Sequence, residues 1–363
     1  MYRCVDCGRD YLEQATTPYR CDCGGPFRFV DPSVPASAPP SAVDRDAGLW
    51  AFDDLLPVGR RVTLGEGWTP LVAAPDRTAT YKLEGLFPTA SFKDRGAAVT
   101  LSQADALGVD RVVEDSSGNA GAAIATYAAR AGIDAEIFVP ADAKAGKLAA
   151  IERAGATVRR VEGSRADVTD ACVGAVETES DSGDVWYASH AWQPAFLEGT
   201  ATFAYEVATQ RDWTVPDAVV TPLGHGTLFL GAALGFERLR AAGWTDRVPR
   251  LYGVQARGAA PVVADRHGPG AAAGDNSLAD GIQIRDPVRR GEIAEALDST
   301  GGDVVAVDRE TTAETHRQLG RRGLHVEPTC AVAPAGLDIL RDRGAIGPEE
   351  DVVVPLTGHG LAT

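Results

Sequence analysis

A regular alternation of short apolar runs with helical stretches, from residue 93 onward, most constrains what this chain can fold into. Strands that alternate with helices are typical of parallel sheets covered by helices on both faces. An alternation this long predicts two α/β lobes with a cleft at the carboxyl ends of the strands. The segment 256–280, rich in Gly, Ala and Pro, predicts a mobile loop. The predicted strands are 111–113, 135–139, 157–161, 185–188, 218–221, 251–255, 304–307 and 352–356, and the predicted helices are 97–107, 120–131, 147–154, 199–210, 227–241, 309–322 and 331–341.

Lys93 is the residue that most suggests chemistry, because the chain has only four lysines and its other basic side chains are almost all arginines. A desolvated lysine can lose its proton and form a Schiff base with a carbonyl compound, which an arginine cannot do. A solvated surface charge is the alternative for a single lysine. Lys93 lies in the hexapeptide S-F-K-D-R-G at 91–96, directly before the predicted helix at 97–107.

Two glycine-rich loops each lie between the end of a predicted strand and the start of a predicted helix. The first is S-S-G-N-A-G at 116–121, and the second is P-L-G-H-G-T at 222–227. Unpaired backbone amides at a helix start favour a bound anion, and small residues let those amides close on a phosphate. An ordinary helix cap is the alternative for Ser117, but it does not account for the Gly-Asn that follows. In the second loop, Thr227 can add a hydroxyl group.

Taken together, these motifs resemble those of threonine synthase and its relatives among the fold-type-II pyridoxal-phosphate enzymes. The chain also has E-G-W-T-P-L at 66–71, K-L-E at 82–84, E-P at 327–328 and L-T-G-H-G-L at 356–361. The resemblance covers residues 64 to 361. It implies the fold-type-II α/β architecture, with pyridoxal 5'-phosphate (PLP) as the cofactor.

The resemblance also implies a set of site residues. Lys93 would carry the cofactor as a Schiff base and would move protons at Cα and Cβ of the substrate. The residues expected to bind the substrate, chiefly its carboxylate, are Thr89, Ser116, Ser117 and Gly118. The residues expected to bind the cofactor are Asn119 at its 3-hydroxyl group, Gly224, His225, Gly226 and Thr227 at its phosphate, and Thr357 at its ring nitrogen. Relatives commonly carry Asn in place of His225.

The implied activity is that of threonine synthase, a PLP-dependent lyase that converts O-phosphohomoserine and water into threonine and phosphate. In many relatives, Asn, Ser and Arg side chains before an E-G element bind the substrate phosphate. Here Ala191 stands in place of the Ser and Phe196 in place of the Arg, and a phenylalanine cannot make a bidentate phosphate contact. A serine/threonine dehydratase-like lyase is therefore an alternative. A non-catalytic PLP- and zinc-binding protein is an alternative of another class, although a binding module has no need of a Schiff-base lysine.

Four of the six cysteines fall within residues 1–30, as C-x2-C and C-x-C, each followed by a glycine. Two such turns can present four thiolates to one zinc ion, in a structural site without an open coordination position. Disulfides and a nucleic-acid-binding zinc ribbon are the alternatives, disfavoured by the lack of a secretion signal and by few basic residues. Cys172 and Cys330 are expected to be small buried hydrophobic residues. The expected zinc ligands are Cys4, Cys7, Cys21 and Cys23.

The motifs and composition predict four segments in the chain. Residues 1–30 form the zinc-ribbon-like module, and 31–48 form a Pro/Ser/Ala-rich linker. Residues 49–205 form the N-terminal α/β lobe, with the Schiff-base lysine and the carboxylate loop. Residues 206–363 form the C-terminal α/β lobe, with the phosphate loop.

The charge of the chain bears on its partners and its environment. With 51 acidic and 35 basic side chains the formal net charge is −16, which argues against nucleic acid as a main partner. Such acidity with so few lysines predicts a halophilic protein, and an acidic protein encoded with arginine-biased codons is the alternative.

No apolar run approaches 18 residues and no signal-like N-terminus is present, so we expect a cytoplasmic protein without a membrane contact. The resemblance adds a small-molecule amino-acid substrate and a homodimer.

Overall fold

The computed structural model describes residues 1–30, 38–74, 76–143, 145–179 and 185–362. Residues 31–37, most of the first half of the predicted linker, lie outside the described residues. In this part of the chain the strands β1 to β13 are Tyr2–Cys4, Asp10–Tyr11, Phe27–Phe29, Leu71–Ala74, Ala79–Lys82, Arg111–Glu114, Asp134–Pro140, Thr157–Val161, Trp186–Tyr187, Ala218–Pro222, Arg250–Ala256, Asp303–Val307 and Val352–Pro355. The helices α1 to α11 are Lys93–Ala106, Asn119–Ala131, Ala145–Arg153, Arg165–Glu179, Pro194–Thr209, Thr227–Ala241, Pro261–His267, Pro269–Ala272, Arg290–Thr300, Arg309–Arg321 and Val332–Asp342.

The chain forms two compact units. The first takes its described residues from 1–35, 44–66 and 93–200, and the second takes them from 36–43, 67–92 and 201–363. No helix of the described residues is long and apolar enough to cross a membrane.

The first unit contains two sheets. A small antiparallel sheet at the N-terminus has the order β2-β1-β3, and aromatic side chains fill it. The ring of Tyr2 lies 5.8 Å from that of Phe27 and 5.2 Å from that of Phe29, measured between ring centroids. The second sheet is parallel, with the order β8-β7-β6-β9. Its central strand β6 is buried except at its first residue, whereas the edge strand β8 is largely exposed.

The second unit is built on one sheet with the order β12-β11-β10-β13-β5-β4. All neighbouring strands are parallel except the pair β4–β5. Strands β10 and β13 are buried at every residue, as expected for parallel strands covered on both faces. The apolar face of α11 joins the core beside them.

The prediction of an α/β chain with two parallel-sheet lobes is confirmed by this topology. The pairing of β5 with β13 also places residues 79–82, which precede Lys93, in the sheet of the second unit. The predicted domain bounds stay a prediction.

The prediction of a loop over 256–280 is wrong, because this segment contains α7 and α8. Pro261 and Pro269 begin these helices, where the missing N–H of a proline costs no helical hydrogen bond. The prolines that suggested a loop therefore mark helix starts.

Helices α4 and α9 were not predicted from the sequence. In α4, Val168, Cys172 and Val176 recur at every fourth residue and are buried in one apolar cluster. That spacing is typical of an amphipathic helix, although the polar and small residues of this segment make the pattern harder to recognise.

Candidate active site

Lys93 is the first residue of α1, in the first unit. Its Nζ atom lies 5.7 Å from the ring centroid of Phe196, which lies in the first turn of α5 and is fully buried. A Cβ atom at Gly96 would stand 2.3 Å from that ring. A Cβ atom at Gly199 would stand 2.1 Å from the carbonyl oxygen of Arg95. These two motif glycines therefore let α1 and α5 approach closely beside the lysine.

The loop 115–118 connects β6 to α2 in the same unit. The residue that precedes the helix is Gly118, in an extended conformation, and no side chain caps the helix. The interpretation of Ser117 as an ordinary helix cap is therefore wrong. Ser116 Oγ instead accepts a hydrogen bond of 3.3 Å from the Gly118 amide. A Cβ atom at Gly121 would stand 1.9 Å from the Ser116 carbonyl oxygen, so only a glycine lets the loop lie against this helix.

A buried acid–base pair, Glu114 and His190, lies next to this loop and was not predicted from the sequence. His190 Nδ1 is 2.6 Å from Glu114 Oε1, and the His190 amide donates to Glu114 Oε2 at 3.3 Å. Burial raises the pKa of Glu114 well above its usual value, the charge of Asp115 adds to this, and the charge of Lys93 opposes it. Strands β6 and β9 are parallel neighbours, so the segments that follow them meet at one edge of the sheet.

The pair is also linked to the surroundings of Lys93. The His190 ring centroid lies 6.0 Å from that of Phe196, the ring over which Lys93 Nζ stands. The described geometry therefore joins Lys93, Phe196, His190 and Glu114 in one cluster. No local pattern in the sequence marks it, because its members come from three separate segments.

The second glycine-rich loop connects β10 to α6 in the second unit. Gly226 precedes the helix with φ +83°, and no side chain caps this helix. A Cβ atom at Gly226 would stand 2.7 Å from Ile293, and one at Gly224 would stand 3.3 Å from Ile282 and Ile284. Thr227 is buried as the first helical residue, and His225 is half-buried. The predicted phosphate loop is therefore a tight turn with apolar walls.

Thr357 follows β13, which is the parallel neighbour of β10, so both loops lie at the same edge of this sheet. Its carbonyl oxygen accepts from the Phe92 amide at 3.0 Å, and the His359 amide donates to the carbonyl oxygen of Ala90 at 2.8 Å. These bonds hold the segment that contains Thr89 beside Thr357. The structure thus brings Thr89, Thr357 and the phosphate loop to one edge of the second unit.

Cys330 is buried as predicted, but it is not simply a small hydrophobic residue. Its Sγ lies 3.3 Å from the Thr357 hydroxyl oxygen and 3.2 Å from the carbonyl oxygen of Gly358. Burial and the charge of Glu327 raise the pKa of this thiol to about 12. Cys172, in contrast, belongs to an apolar cluster, as the sequence predicts.

Lys82, the lysine of the K-L-E element, is fully buried in the second unit. Its Nζ contacts Glu206 Oε2 at 2.9 Å, the carbonyl oxygen of Thr69 at 2.8 Å and Gln210 Oε1 at 3.0 Å. Glu206 is likewise fully buried. Because breaking a buried ion pair leaves an uncompensated charge, Lys82 has a structural role here.

The four N-terminal cysteines form one cluster whose sulfur atoms all lie within 4.8 Å of one another. Cys4 and Cys23 are 3.5 Å apart, as are Cys7 and Cys21. Four sulfurs at the usual Zn–S bond length of about 2.3 Å would be about 3.8 Å apart in a tetrahedron. The cluster therefore fits a tetrahedral metal ion.

Comparison with known proteins defines the class. The family model of the pyridoxal-phosphate dependent enzymes matches residues 62–358, so this chain belongs to that family. A serine racemase structure from maize has a TM-score of 0.68 and 21% identity, over 80% of this chain and 88% of that one. A fungal L-serine ammonia-lyase structure from Rhizomucor miehei has a TM-score of 0.64 and 25% identity, over 80% and 93% of the two chains. The fold is therefore that of the fold-type-II PLP enzymes.

Within this class, the similarity extends to threonine synthases. That of Methanocaldococcus jannaschii is 33% identical over 99% of this chain and 92% of its own length. Those of Methanosarcina acetivorans and Mycobacterium leprae are 34% identical, over 99% and 86% of this chain and 91% and 87% of their own lengths. The resemblance that the motifs indicate is confirmed.

Proposed function

We propose that this protein is a threonine synthase, which converts O-phosphohomoserine and water into threonine and phosphate with PLP as cofactor. The observation that carries the proposal is the identity of 33–34% to two archaeal threonine synthases over 99% of the chain. Lys93 at the start of α1 and the glycine-rich loops at the starts of α2 and α6 support it.

The described residues fit the cofactor. The start of α6 has no side-chain cap, and the Gly224-His225-Gly226 turn with the Thr227 hydroxyl offers amide and hydroxyl donors to a phosphate. Asn119 would bond the 3-hydroxyl group of PLP, and Thr357 would face its ring nitrogen. Lys93 would attach to its carbonyl carbon. When bound, PLP supplies an electron sink for negative charge at the substrate Cα.

The remaining chemistry belongs to the side chains and amides of the chain. The start of α2, which also lacks a side-chain cap, would bind the substrate carboxylate through the 116–118 loop. Thr89 would contact the substrate from its own segment. The Lys93 amine, once displaced by the substrate, would take the proton from Cα and move protons at Cβ. The Phe196 ring beside the Lys93 amine would exclude water from one side of it.

A dehydratase-like lyase is the second candidate, because one specific observation favours it. Phe196, at the place of a phosphate-binding arginine, is fully buried against Gly96, and Ala191 has no hydroxyl group to offer. A lyase that releases ammonia and a keto acid needs no phosphate contact.

The deciding experiment is incubation of the cofactor-loaded protein in concentrated KCl with O-phosphohomoserine, with threonine and free phosphate assayed together. Equal formation of both products is the expected result. Serine and threonine are tested in parallel for ammonia and keto acid. Release of a keto acid without any threonine from O-phosphohomoserine would replace the proposal with the lyase.

We also propose that Cys4, Cys7, Cys21 and Cys23 hold a structural zinc ion. The four sulfur atoms lie within 4.8 Å of one another, which is the spacing that a tetrahedral zinc ion with four thiolate ligands needs. Metal analysis of the purified protein should find one zinc per chain. Cys7→Ser should lose it, and Cys172→Ala, which changes a cysteine of the apolar core, should keep it. Full zinc content in Cys7→Ser would overturn the assignment.

Three further properties stay proposals: halophily, a cytoplasmic location and a homodimer. The net charge of −16 with four lysines supports the first. Unfolding measured across a series of KCl concentrations tests it, and light scattering in the same buffers gives the mass of the assembly. Equal stability at low and molar KCl would argue against halophily.

A further inference from the structure

The N-terminal cysteine module contacts the segment that follows β9 through Tyr19, a residue that the proposed mechanism does not use. Tyr19 lies in the sequence between the two pairs of cysteines. Its ring centroid lies 5.2 Å from that of Tyr187, the last residue of β9, and 5.1 Å from that of Trp192. Both pairs are edge-to-face, with interplanar angles of 83° and 87°, which is a favourable geometry for aromatic rings.

The hydroxyl group of Tyr187 extends this contact to the loop 115–118. It donates to Asp115 Oδ1 at 2.8 Å, and the Thr169 hydroxyl of α4 donates to Asp115 Oδ2 at 2.5 Å. Burial, followed by the charge of Asp115, raises the pKa of Tyr187 well above its usual value, so this hydroxyl keeps its proton and is the donor. Asp115 directly precedes Ser116, the first residue expected to bind the substrate carboxylate. The placement of the Tyr187 ring therefore helps to hold the start of this loop.

The contact with Trp192 restrains a second part of the site. The Trp192 amide donates to the carbonyl oxygen of Ser189 at 3.2 Å and closes a turn that contains His190. Tyr19 thus contacts one aromatic residue before His190 and one after it. His190 belongs to the buried cluster beside the candidate Schiff-base lysine. Both contacts of Tyr19 therefore lead to the substrate side of the site.

The boundary between the module and the segment after β9 is not a filled core. A cavity of about 330 Å³ lies there, lined by residues 15–22 of the module and by α4 and β9 on the other side. Arg20 also crosses this boundary and lies 3.3 Å from Glu177, but both side chains are exposed. Exposed ion pairs contribute little to stability. We therefore expect the Tyr19 ring to be the important contact at this boundary.

We propose that Tyr19 is a positioning residue, whose ring holds Tyr187 and Trp192 and thereby places the carboxylate loop and the His190 turn for substrate binding. The cysteine module then stabilises the substrate side of the active site without contacting the substrate. The inference rests on the proposed function, because it requires the loop 116–118 to bind the substrate carboxylate. The ring alone is needed, so Tyr19→Phe should preserve the effect.

The test uses the full chain loaded with PLP, as the wild type and as Tyr19→Ala, Tyr19→Phe, Tyr187→Phe and Leu12→Ala. Leu12→Ala is the matched control, because Leu12 lies in the same module and its side chain is 66% exposed. KM and kcat are measured with O-phosphohomoserine. Hydrogen–deuterium exchange of the segments 111–121 and 185–196 is measured without substrate, and the segment 218–230 of the second unit is the internal reference.

Tyr19→Ala should raise KM roughly 2- to 10-fold, the factor that corresponds to one aromatic contact, with kcat much less affected. Exchange should accelerate by a similar factor in both site segments and stay unchanged in the reference segment. Tyr187→Phe keeps the ring but loses the bond to Asp115, so its exchange should accelerate in 111–121 only. Tyr19→Phe and Leu12→Ala should match the wild type. Metal content equal to that of the wild type shows that the module of each variant is intact, and Tyr19→Leu replaces Tyr19→Ala if the latter loses metal.

Unchanged KM and exchange in Tyr19→Ala would overturn the inference. Equal acceleration in the reference segment would also overturn it, because Tyr19 would then support only general stability. A Tyr19→Phe variant as impaired as Tyr19→Ala would show that the hydroxyl, and not the ring, is needed. A wild type that forms no threonine from O-phosphohomoserine would refute the proposed function instead, and the exchange measurements, which need no turnover, would still test the contact.

Discussion

The two glycine-rich helix starts carry the same sequence signal but lie in different surroundings. The start of α2 lies beside Lys93 and the buried Glu114–His190 pair, in the first unit. The start of α6 follows a left-handed Gly226 with walls formed by Ile282, Ile284 and Ile293, in the second unit. The first helix start lies next to side chains that can take up or release protons. The second is a rigid turn of backbone donors that packs against apolar side chains. The comparison leads to a hypothesis: a strand, a glycine loop and a helix start predict an anion site, and the neighbouring side chains decide which anion is bound and whether chemistry happens there.

The largest expected effect is that of Lys93→Ala. The first region should then lose its chemistry, with turnover reduced by up to about 10⁴-fold, because Lys93 is the group proposed to take the substrate proton. The second region should still bind PLP without a covalent bond, seen as quenching of tryptophan fluorescence without the absorbance of lysine-bound cofactor.

Lys93→Arg is the matched control for this prediction, because it keeps a positive charge but forms no Schiff base. Retained turnover in Lys93→Ala would remove the basis for separating the two regions.

Gly121→Ala should affect substrate binding. The new methyl group would stand 1.9 Å from the Ser116 carbonyl oxygen, so the carboxylate loop must move away from α2. Overpacking of this kind costs about 1–3 kcal/mol, which is a rise of roughly 5- to 150-fold in the substrate KM.

The affinity for PLP should change much less in Gly121→Ala than the KM does. Gly174→Ala is the control, because this residue lies exposed in α4 and its added Cβ meets nothing within 4 Å. An unchanged KM in Gly121→Ala would show that the start of α2 does not hold the substrate.

Gly226→Ala should weaken the binding of the cofactor rather than that of the substrate. Its φ of +83° and the 2.7 Å approach to Ile293 make an alanine strained, by about 1–2 kcal/mol for the left-handed conformation alone. We expect the affinity for PLP to fall roughly 5- to 30-fold, with the KM unchanged at saturating PLP.

The measurement for Gly226→Ala is a fluorescence titration of the cofactor-free protein with PLP. Gly291→Ala, on the exposed side of α9 with no atom within 4 Å of its new Cβ, is the control and should bind PLP normally. A rise in KM as large as the loss of PLP affinity would contradict the proposal that the start of α2 binds the substrate and the start of α6 binds the cofactor.

The smallest expected effect is on the pH dependence of stability. The pKa of Glu114 is raised well above 4.5 in the folded protein, mainly by burial, so the folded state binds a proton that the unfolded state releases. The free energy of unfolding should therefore fall as the pH rises from about 4.5 through the folded pKa. Glu114→Gln should flatten this slope in urea unfolding.

Glu349→Gln, which removes one exposed carboxylate, controls for the change in net charge. The difference between the wild type and Glu114→Gln isolates the contribution of this carboxyl group. A difference that grows more stabilising for the wild type with rising pH would contradict the raised pKa.

Much of the fold followed from local signals. The runs that end at Val113, Val139 and Val161 were recognisable as strands, because short apolar segments between polar turns need no distant partner to be identified. The helices α7 and α8 were missed because prolines at helix starts resemble those of loops. Helix α4 was missed although its buried face recurs every fourth residue.

The sequence by itself determined the α/β class and the family, and it predicted Lys93 and the two glycine-rich loops as site residues. These depend on residue type and on neighbours within about ten positions. Only the tertiary structure decided that Glu114 meets His190, 76 positions away, and that Cys330 meets Thr357, 27 positions away. It also decided that Phe196 lies against Gly96 beside Lys93. Such contacts depend on which strands become neighbours and how closely helices approach, and that is set by burial of the whole core rather than by any local pattern.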